Sequence, residues 1–301
     1  MKDPDESVVP LLNDLEIERS TSGVLGGRID RRVFLGICGK CTCGIFLTGC
    51  LGSLVSCEQD RGGSDYYLKQ KDQLLGEARE FSEAYKLVMT PEYGQGEAKA
   101  IADGMVVKFD EIIDELPYIG GDQTPLIAHT TGMLIHAQMI IAFCLVMKEH
   151  GLSIDDAGRI NYETMQHLMQ AEAGQPVQKF AKGEIEKKRQ EMEEFAKWTQ
   201  KREYSCNWVS FFVGDVHEPF IYGWDNTECG NLKLCNYYGI GEFTNYLCML
   251  DQIVYASTGQ GLSRSMTLAD NYRICDFRLR NDGIVDLKEP FTVKKLREWG
   301  K

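Results

Sequence analysis

The strongest candidate for a nucleophile is Cys229, which lies in the stretch Thr-Glu-Cys-Gly at residues 227–230. The following stretch, CGNLKLCNYYG, predicts a helix, so the thiol would lie at a helix N-terminus. The helix dipole and unpaired amides at such a position lower the pKa of a thiol. Adjacent Glu228 and the more distant Asp251 are candidates for the proton carrier. A cysteine is more often a buried core residue, and this alternative stays open for Cys229.

A basic side chain later in the chain suits an anionic substrate. Arg264 begins the stretch RSMTLA at residues 264–269. Its guanidinium would bind a substrate carboxylate through a forked pair of hydrogen bonds, or it would form a structural ion pair instead. Thr267, three residues later, is a further candidate for substrate binding.

Two more candidates for substrate binding are neighbours in a predicted strand. Cys275 and Asp276 open the stretch Cys-Asp-Phe, which ends at Phe277. Side chains alternate between the two faces of a strand, so Cys275 and Phe277 share one face and Asp276 points to the other. Only one of these two faces lines a pocket.

Three histidines have types and positions that allow chemistry. His217 lies in a predicted loop beside Asp215 and Glu218, which suits an acid–base or substrate-binding role. His129 and His136 are seven residues apart on an apolar helix and share a face. Together with a carboxylate they would bind a metal, but such histidines are more often core or pocket residues. We predict neither a metal nor a cofactor.

Five of the eleven cysteines lie in the apolar stretch at residues 31–57. The pair Arg31 and Arg32 followed by VFL resembles a twin-arginine export signal, which would make the export machinery a partner. The stretch LVSC ending at Cys57 resembles a lipobox, with Cys57 as the lipidated residue, and LTGC ending at Cys50 is the alternative. An uncleaved membrane anchor and a metal or redox cluster also remain open as interpretations of this stretch.

The resemblance to an export signal predicts where the protein lies in the cell. We predict an exported protein that is either anchored to the outer side of the cytoplasmic membrane or periplasmic, with a cytoplasmic location as the alternative.

Composition limits the class of protein. The chain has 301 residues, with 43% hydrophobic and 26% charged residues, enough for one large domain or two small ones. Its formal net charge is −12, which argues against nonspecific binding of nucleic acid. If the protein is exported, the six cysteines outside the leader allow 15 disulfide pairings, and the sequence does not choose among them. These six are Cys144, Cys206, Cys229, Cys235, Cys248 and Cys275.

The elements that must position these residues change type along the chain. Residues 64–203 have helical periodicity, and the clearest helix follows Thr124 as N-cap and Pro125 as first helical residue, with Gly151 as its stop. Ser153 predicts the cap of the next helix. Residues 204–285 alternate aromatic and β-branched strands with helices. We therefore predict an α+β fold in which a helical N-terminal half packs on a C-terminal antiparallel sheet with helices. A leader, signal and linker would occupy residues 1–63, and one α+β domain would occupy residues 64–301.

Four short motifs, in this order, resemble the L-2-amino-thiazoline-4-carboxylic acid hydrolase family. They are TECG at 227–230, CMLD at 248–251, RSMTLA at 264–269 and CDF at 275–277. The resemblance covers roughly residues 200–280. One departure is at residues 271–272, where the family has a glycine-rich turn; Asn271 tolerates the left-handed conformation that such a turn needs.

The resemblance implies a hydrolase that opens a small thiazoline or amidine-like ring. In the family's reaction, water adds to the amidine carbon, the carbon–sulfur bond breaks, and the product is N-carbamoyl-L-cysteine. A non-catalytic module that binds or senses a small molecule on the same fold is the main alternative. A redox lipoprotein that uses the N-terminal cysteines is a third.

Overall fold

The computed structural model describes residues 64–169 and 176–288. The predictions for Arg31, Arg32, Cys50 and Cys57 lie outside these residues. Helices come first along the described chain, and strands and helices follow, so the predicted α+β fold is confirmed.

The first helical segment is a hairpin. A short helix, α1 (Ser64–Leu68), precedes α2 (Lys71–Ile112), which bends sharply at Gly94, where φ is 77°. The Ser82 hydroxyl donates a hydrogen bond of 2.8 Å to the Ala102 carbonyl, 20 residues further along. A straight helix would separate these residues by about 30 Å, so the two arms of α2 must pack against each other. A 3₁₀ turn (Ile113–Glu115) ends the hairpin.

The apolar helix α3 (Pro125–Glu149) is the centre of the helical layer. The Thr124 side chain accepts a hydrogen bond from the Ile127 amide, and Gly151 follows the helix with a positive φ of 79°, so the predicted cap and stop are confirmed. The helix is long and apolar enough to cross a membrane, but 78% of its most apolar window is buried inside the fold.

Two further helices complete the helical layer. Helix α4 (Ile154–Met169) begins after Ser153, whose hydroxyl accepts from the Asp156 amide at 3.0 Å, as predicted. Tyr85 joins three helices: its ring stacks on Phe143 of α3 at 3.8 Å, and its hydroxyl donates to Asn161 of α4 at 2.6 Å. Helix α5 (Lys182–Thr199) then leads to the sheet.

Five strands form one mixed sheet in the order β1-β2-β4-β3-β5. They are β1 (Val209–Val213), β2 (Phe220–Glu228), β3 (Gly261–Arg264), β4 (Cys275–Arg280) and β5 (Val285–Leu287). Helices α6 (Gly230–Tyr237) and α7 (Thr244–Thr258) lie between β2 and β3 along the chain. The first four strands pair antiparallel, as predicted, whereas β5 pairs parallel with β3 and was not predicted from the sequence.

The sheet has one buried face. Along β4, Cys275, Phe277 and Leu279 are buried while the intervening residues are half-buried, as the predicted alternation requires. Phe277 pairs with Trp224 on one side and with Arg264 on the other. This register brings a charged guanidinium into a row of aromatic side chains under α7.

Candidate active site

A buried ion pair links α7 to the sheet. Arg264, the last residue of β3, donates through one terminal nitrogen to the carboxylate of Asp251 on α7. Its second terminal nitrogen donates to the Cys248 carbonyl at 3.0 Å. The guanidinium carbon lies 5.3 Å from the centre of the Phe277 ring, within range of a cation–π contact. The sequence motifs that contain Asp251 and Arg264 therefore meet in space.

Asp251 has the protonation behaviour of an acid–base group. Burial raises the pKa of Asp251 to about 7, because the charged carboxylate loses its hydration, and the Arg264 guanidinium offsets this effect only in part. A pKa raised toward neutrality suits a side chain that both takes up and releases a proton.

Tyr255 belongs to the same site and was missed from the sequence. It lies four residues after Asp251 on α7, so both side chains are on the same face of the helix. Burial, and then the nearby charge of Asp251, raise the pKa of the Tyr255 phenol well above its usual value. Asp251, Tyr255 and Arg264 together are called the buried polar cluster below. The i, i+4 spacing of an acid and a tyrosine was the signal available in the sequence.

The forked contact predicted for Arg264 is already used inside the protein. Both terminal nitrogens of the guanidinium are occupied by Asp251 and by the Cys248 carbonyl. Of the two alternatives open from the sequence, the internal ion pair is therefore present, and binding of a substrate carboxylate by Arg264 stays a prediction. The third nitrogen of the guanidinium, Nε, is buried and has no hydrogen-bond partner.

Cys229 lies at the N-terminus of a helix, as predicted, but the pKa of its thiol is raised rather than lowered. Its sulfur caps α6 and accepts a hydrogen bond from the Leu232 amide at 3.3 Å. Burial raises the pKa of the Cys229 thiol well above its usual value, and the hydrogen bond from Leu232 lowers it only in part. The predicted lowering of this pKa by the helix N-terminus was wrong, because loss of hydration outweighs the helix end, whereas the role of Cys229 as a nucleophile stays a prediction.

Three further thiols lie near Cys229 in the core. Cys235, Cys248 and Cys275 are all close enough to influence its titration, and we call the four residues the thiol cluster. The Cys275 sulfur accepts from the Leu268 amide at 3.0 Å. None of the six cysteines in the part of the chain that the structure describes forms a disulfide. Over the same residues, no group of His, Cys, Asp and Glu side chains is arranged to hold a metal ion.

Glu228, a predicted proton carrier, lies between two cations. Its carboxylate pairs with Arg202 and with Lys233. The Lys233 ammonium also donates to the carbonyls of Ser205 and Asn207, at 2.8 and 3.0 Å. This network ties the start of α6 to the segment before β1, so the contacts of Glu228 are those of a structural residue.

Asp276 and Thr267 hold the loop between β3 and β4. Asp276 accepts hydrogen bonds from the amides of Ser265 and Met266, at 2.9 and 2.6 Å. The Thr267 hydroxyl accepts from the Asp270 amide at 3.1 Å. Asn271 has a positive φ of 63°, so the left-handed turn expected there is confirmed. These contacts position the loop that follows Arg264.

The histidines lie elsewhere in the fold. His217 is exposed in the loop between β1 and β2, whereas the buried polar cluster lies in the interior. His129 is buried in α3, and the half-buried ring of His136 lies 4.0 Å from the Glu77 carboxylate. The structure thus brings together Asp251, Arg264 and the thiols, but leaves His217 at the surface.

One comparison with known proteins is informative. Residues 132–279 match the family described as L-2-amino-thiazoline-4-carboxylic acid hydrolase. This range includes the buried polar cluster, the thiol cluster and all four motifs. No curated protein and no solved structure matches the chain.

Proposed function

We propose that this protein, whose residues 132–279 belong to the L-2-amino-thiazoline-4-carboxylic acid hydrolase family, opens a small cyclic amidine by addition of water. The proposed substrate class is a 2-amino-thiazoline with a carboxylate, and the product is the corresponding N-carbamoyl thiol. The observation that carries the proposal is the buried contact between the Asp251 carboxylate and the Arg264 guanidinium, and burial also raises the pKa of Asp251.

Asp251 is proposed as the proton carrier in both steps. As the oxygen of water bonds to the amidine carbon, the carboxylate takes a proton from that water and passes it to the ring nitrogen. The new hydroxyl then gives its proton to Asp251 as the carbon–oxygen double bond forms. The carbon–sulfur bond breaks, and Asp251 delivers this proton to the departing sulfur. The result is a thiol and a urea-type carbonyl, with all atoms of water accounted for.

Arg264 is proposed to hold the carboxylate of Asp251 in place. The ion pair and the hydrogen bond to the Cys248 carbonyl leave the guanidinium little freedom to turn. A fixed positive charge in a site that excludes water also stabilises negative charge that develops on the substrate.

The test is an assay of thiazoline opening with the variant Asp251→Asn. We expect turnover of L-2-amino-thiazoline-4-carboxylate to fall at least about 100-fold, as is typical for loss of a general acid–base group. The matched control is Asp225→Asn, which also removes a carboxylate paired with an arginine, but on the half-buried Asp225–Arg278 pair. Full activity of a folded Asp251→Asn protein would refute the proposal.

The same assay tests the nucleophile predicted from the sequence. If water attacks the amidine carbon directly, Cys229→Ser retains most of the activity, because serine preserves the cap of α6. If Cys229 forms a covalent intermediate, this variant loses turnover. The raised pKa of the thiol favours the direct attack of water.

A binding module on the same fold is the second candidate. It is favoured by the closure of the site, since the side chains of Arg264 and Asp251 are only 1% and 9% exposed. A protein of this kind would gain thermal stability from the thiazoline without converting it.

A further inference from the structure

Two hydrogen-bond donors in the buried polar cluster have no acceptor. They are the hydroxyl of Tyr255 and Nε of Arg264. Tyr255 is 3% exposed and Arg264 is 2% exposed, so bulk water does not reach these atoms. Buried polar groups in proteins are almost always hydrogen-bonded, and an exception calls for a ligand or another specific explanation.

Both donors belong to side chains associated with Asp251. Arg264 is bonded to that group directly, and Tyr255 is one helical turn from Asp251 on the same face of α7. The charges of both Asp251 and Arg264 influence the titration of the Tyr255 phenol. Because its pKa is raised, the phenol keeps its proton and remains a donor over the working pH range.

A ligand that satisfies this arrangement has a defined chemistry. It carries an oxygen that accepts hydrogen bonds from a phenol and from a guanidinium, beside an N–H group that faces a carboxylate. A urea or carbamoyl group has this pattern, since its carbonyl oxygen accepts and its amino group donates. A thiazoline ring acquires the oxygen only when water adds to it.

We infer that the Tyr255 hydroxyl and Arg264 Nε bind the oxygen that water adds to the amidine carbon, which makes Tyr255 a catalytic residue. This inference rests on the proposed function and extends it. The pair stabilises negative charge on that oxygen as the carbon becomes tetrahedral, and it binds the same atom as the carbonyl of the product. The donors have no partner before the reaction because their acceptor is created in it.

The test uses the full-length protein and the variant Tyr255→Phe, which removes one oxygen atom. We expect the turnover number to fall about 100-fold, as for loss of one donor to a developing oxyanion. We also expect the dissociation constant of N-carbamoyl-L-cysteine to rise about tenfold. The melting temperature stays the same or rises, because no hydrogen bond within the protein is lost.

The control is Tyr85→Phe, at a buried tyrosine whose hydroxyl donates to Asn161. This variant should have the opposite pattern, with a lower melting temperature and unchanged turnover and product binding. A Tyr255 hydroxyl with only a structural role would give the pattern of the control.

The outcomes separate the inference from the proposed function. If Asp251→Asn abolishes turnover and Tyr255→Phe changes neither turnover nor product binding, the inference is overturned and the proposed function stands. If the wild-type protein opens no thiazoline but binds N-carbamoyl-L-cysteine, and Tyr255→Phe weakens that binding, the proposed function fails and the inferred donor pair stands. If the wild-type protein neither turns over the thiazoline nor binds the carbamoyl compound, both are overturned.

Discussion

A carboxyl group buried against an arginine is held between two opposing effects. Loss of hydration favours its neutral form, and the neighbouring cation favours its charged form. In Asp251 the first effect is larger, yet the second is strong enough to keep the pKa near neutrality rather than far above it. The Arg264 guanidinium thus influences the pKa of Asp251 as well as fixing the position of its carboxylate.

The raised pKa of Asp251 predicts a particular dependence of stability on pH. The folded protein retains the proton up to about pH 7, whereas an unfolded aspartate loses it near 3.8. Between these values the native state binds more protons, so this group makes the free energy of unfolding fall as pH rises, by roughly 4 kcal/mol at most. Below the unfolded pKa and above the folded pKa its contribution is constant.

Urea unfolding at pH 4.5 and pH 7.5 measures this effect. The wild-type protein should lose stability relative to Asp251→Asn over this interval, since asparagine cannot ionise. Asp282→Asn is the control, because Arg280 holds the pKa of Asp282 at about 2, below the interval. Equal changes in the free energy of unfolding of the wild-type protein and of Asp251→Asn would contradict the raised pKa of Asp251.

Individual residues of the site were only partly predictable from sequence. Asp251 and Arg264 were identified because each lies in a short motif, but the partners of the Arg264 fork depend on how α7 packs on the sheet, which local sequence does not show. Tyr255 has no motif around it. For Cys229 the position at a helix end was correct, while the sign of the pKa shift depends on burial, which local sequence does not reveal.

Elements were predicted well where the signal is local. Thr124, Pro125, Gly151 and Ser153 all mark helix ends, because caps satisfy backbone groups within a few residues. The hairpin of α2 was not predicted, since its two arms have the same helical periodicity on both sides of the bend. Strand β5 was missed for a related reason: three residues carry little pattern, and the pairing with β3 is set by the rest of the sheet.

The bend at Gly94 gives a prediction about the stability of helix α2. A side chain at position 94 would meet no atom within 4 Å, so its cost comes from the backbone, where φ is 77°. With ψ at 158°, this backbone conformation is one that essentially only glycine adopts, so we expect Gly94→Ala to lower the free energy of unfolding by about 1–3 kcal/mol.

Gly76 provides the matched control within the first arm of α2. It also has open space for a methyl group, but no positive φ. We expect Gly76→Ala to raise stability by about 0.5–1 kcal/mol, because alanine favours a helix more than glycine does. Chemical unfolding of both variants measures the difference, and equal effects at the two positions would show that the bend is not held by Gly94.

At the scale of the molecule, the site is assembled from three successive elements of the C-terminal half. Asp251 and Tyr255 come from α7, Arg264 from the end of β3, and Phe277 from β4. The order of the sheet places β3 beside β4, and α7 precedes β3 directly, so the site depends on the complete C-terminal half of the fold. Sequence motifs identified Asp251 and Arg264 but not Tyr255, and the burial of the cluster follows from the packing of the whole protein.

The N-terminal segment gives a further prediction at the scale of the molecule. We propose that Arg31 and Arg32 direct export and that Cys57 becomes the lipidated N-terminal residue. Mass spectrometry of the native protein extracted from membranes should then find a chain that begins at a lipid-modified Cys57. Replacement of both arginines by lysine should leave the precursor uncleaved. A mature chain that begins at Met1 would contradict the proposal.

The six buried thiols of the described fold have a consequence for biosynthesis. In an oxidising compartment an unfolded chain would pair them at random, and most of the possible crosslinks would prevent folding. Such a chain must therefore fold before it meets oxidants, after which its own packing shields the sulfur atoms. A brief pulse of an alkylating reagent would then label the cysteines of unfolded molecules and spare those of folded ones. The labelled fraction would therefore measure how much of the protein has not yet folded.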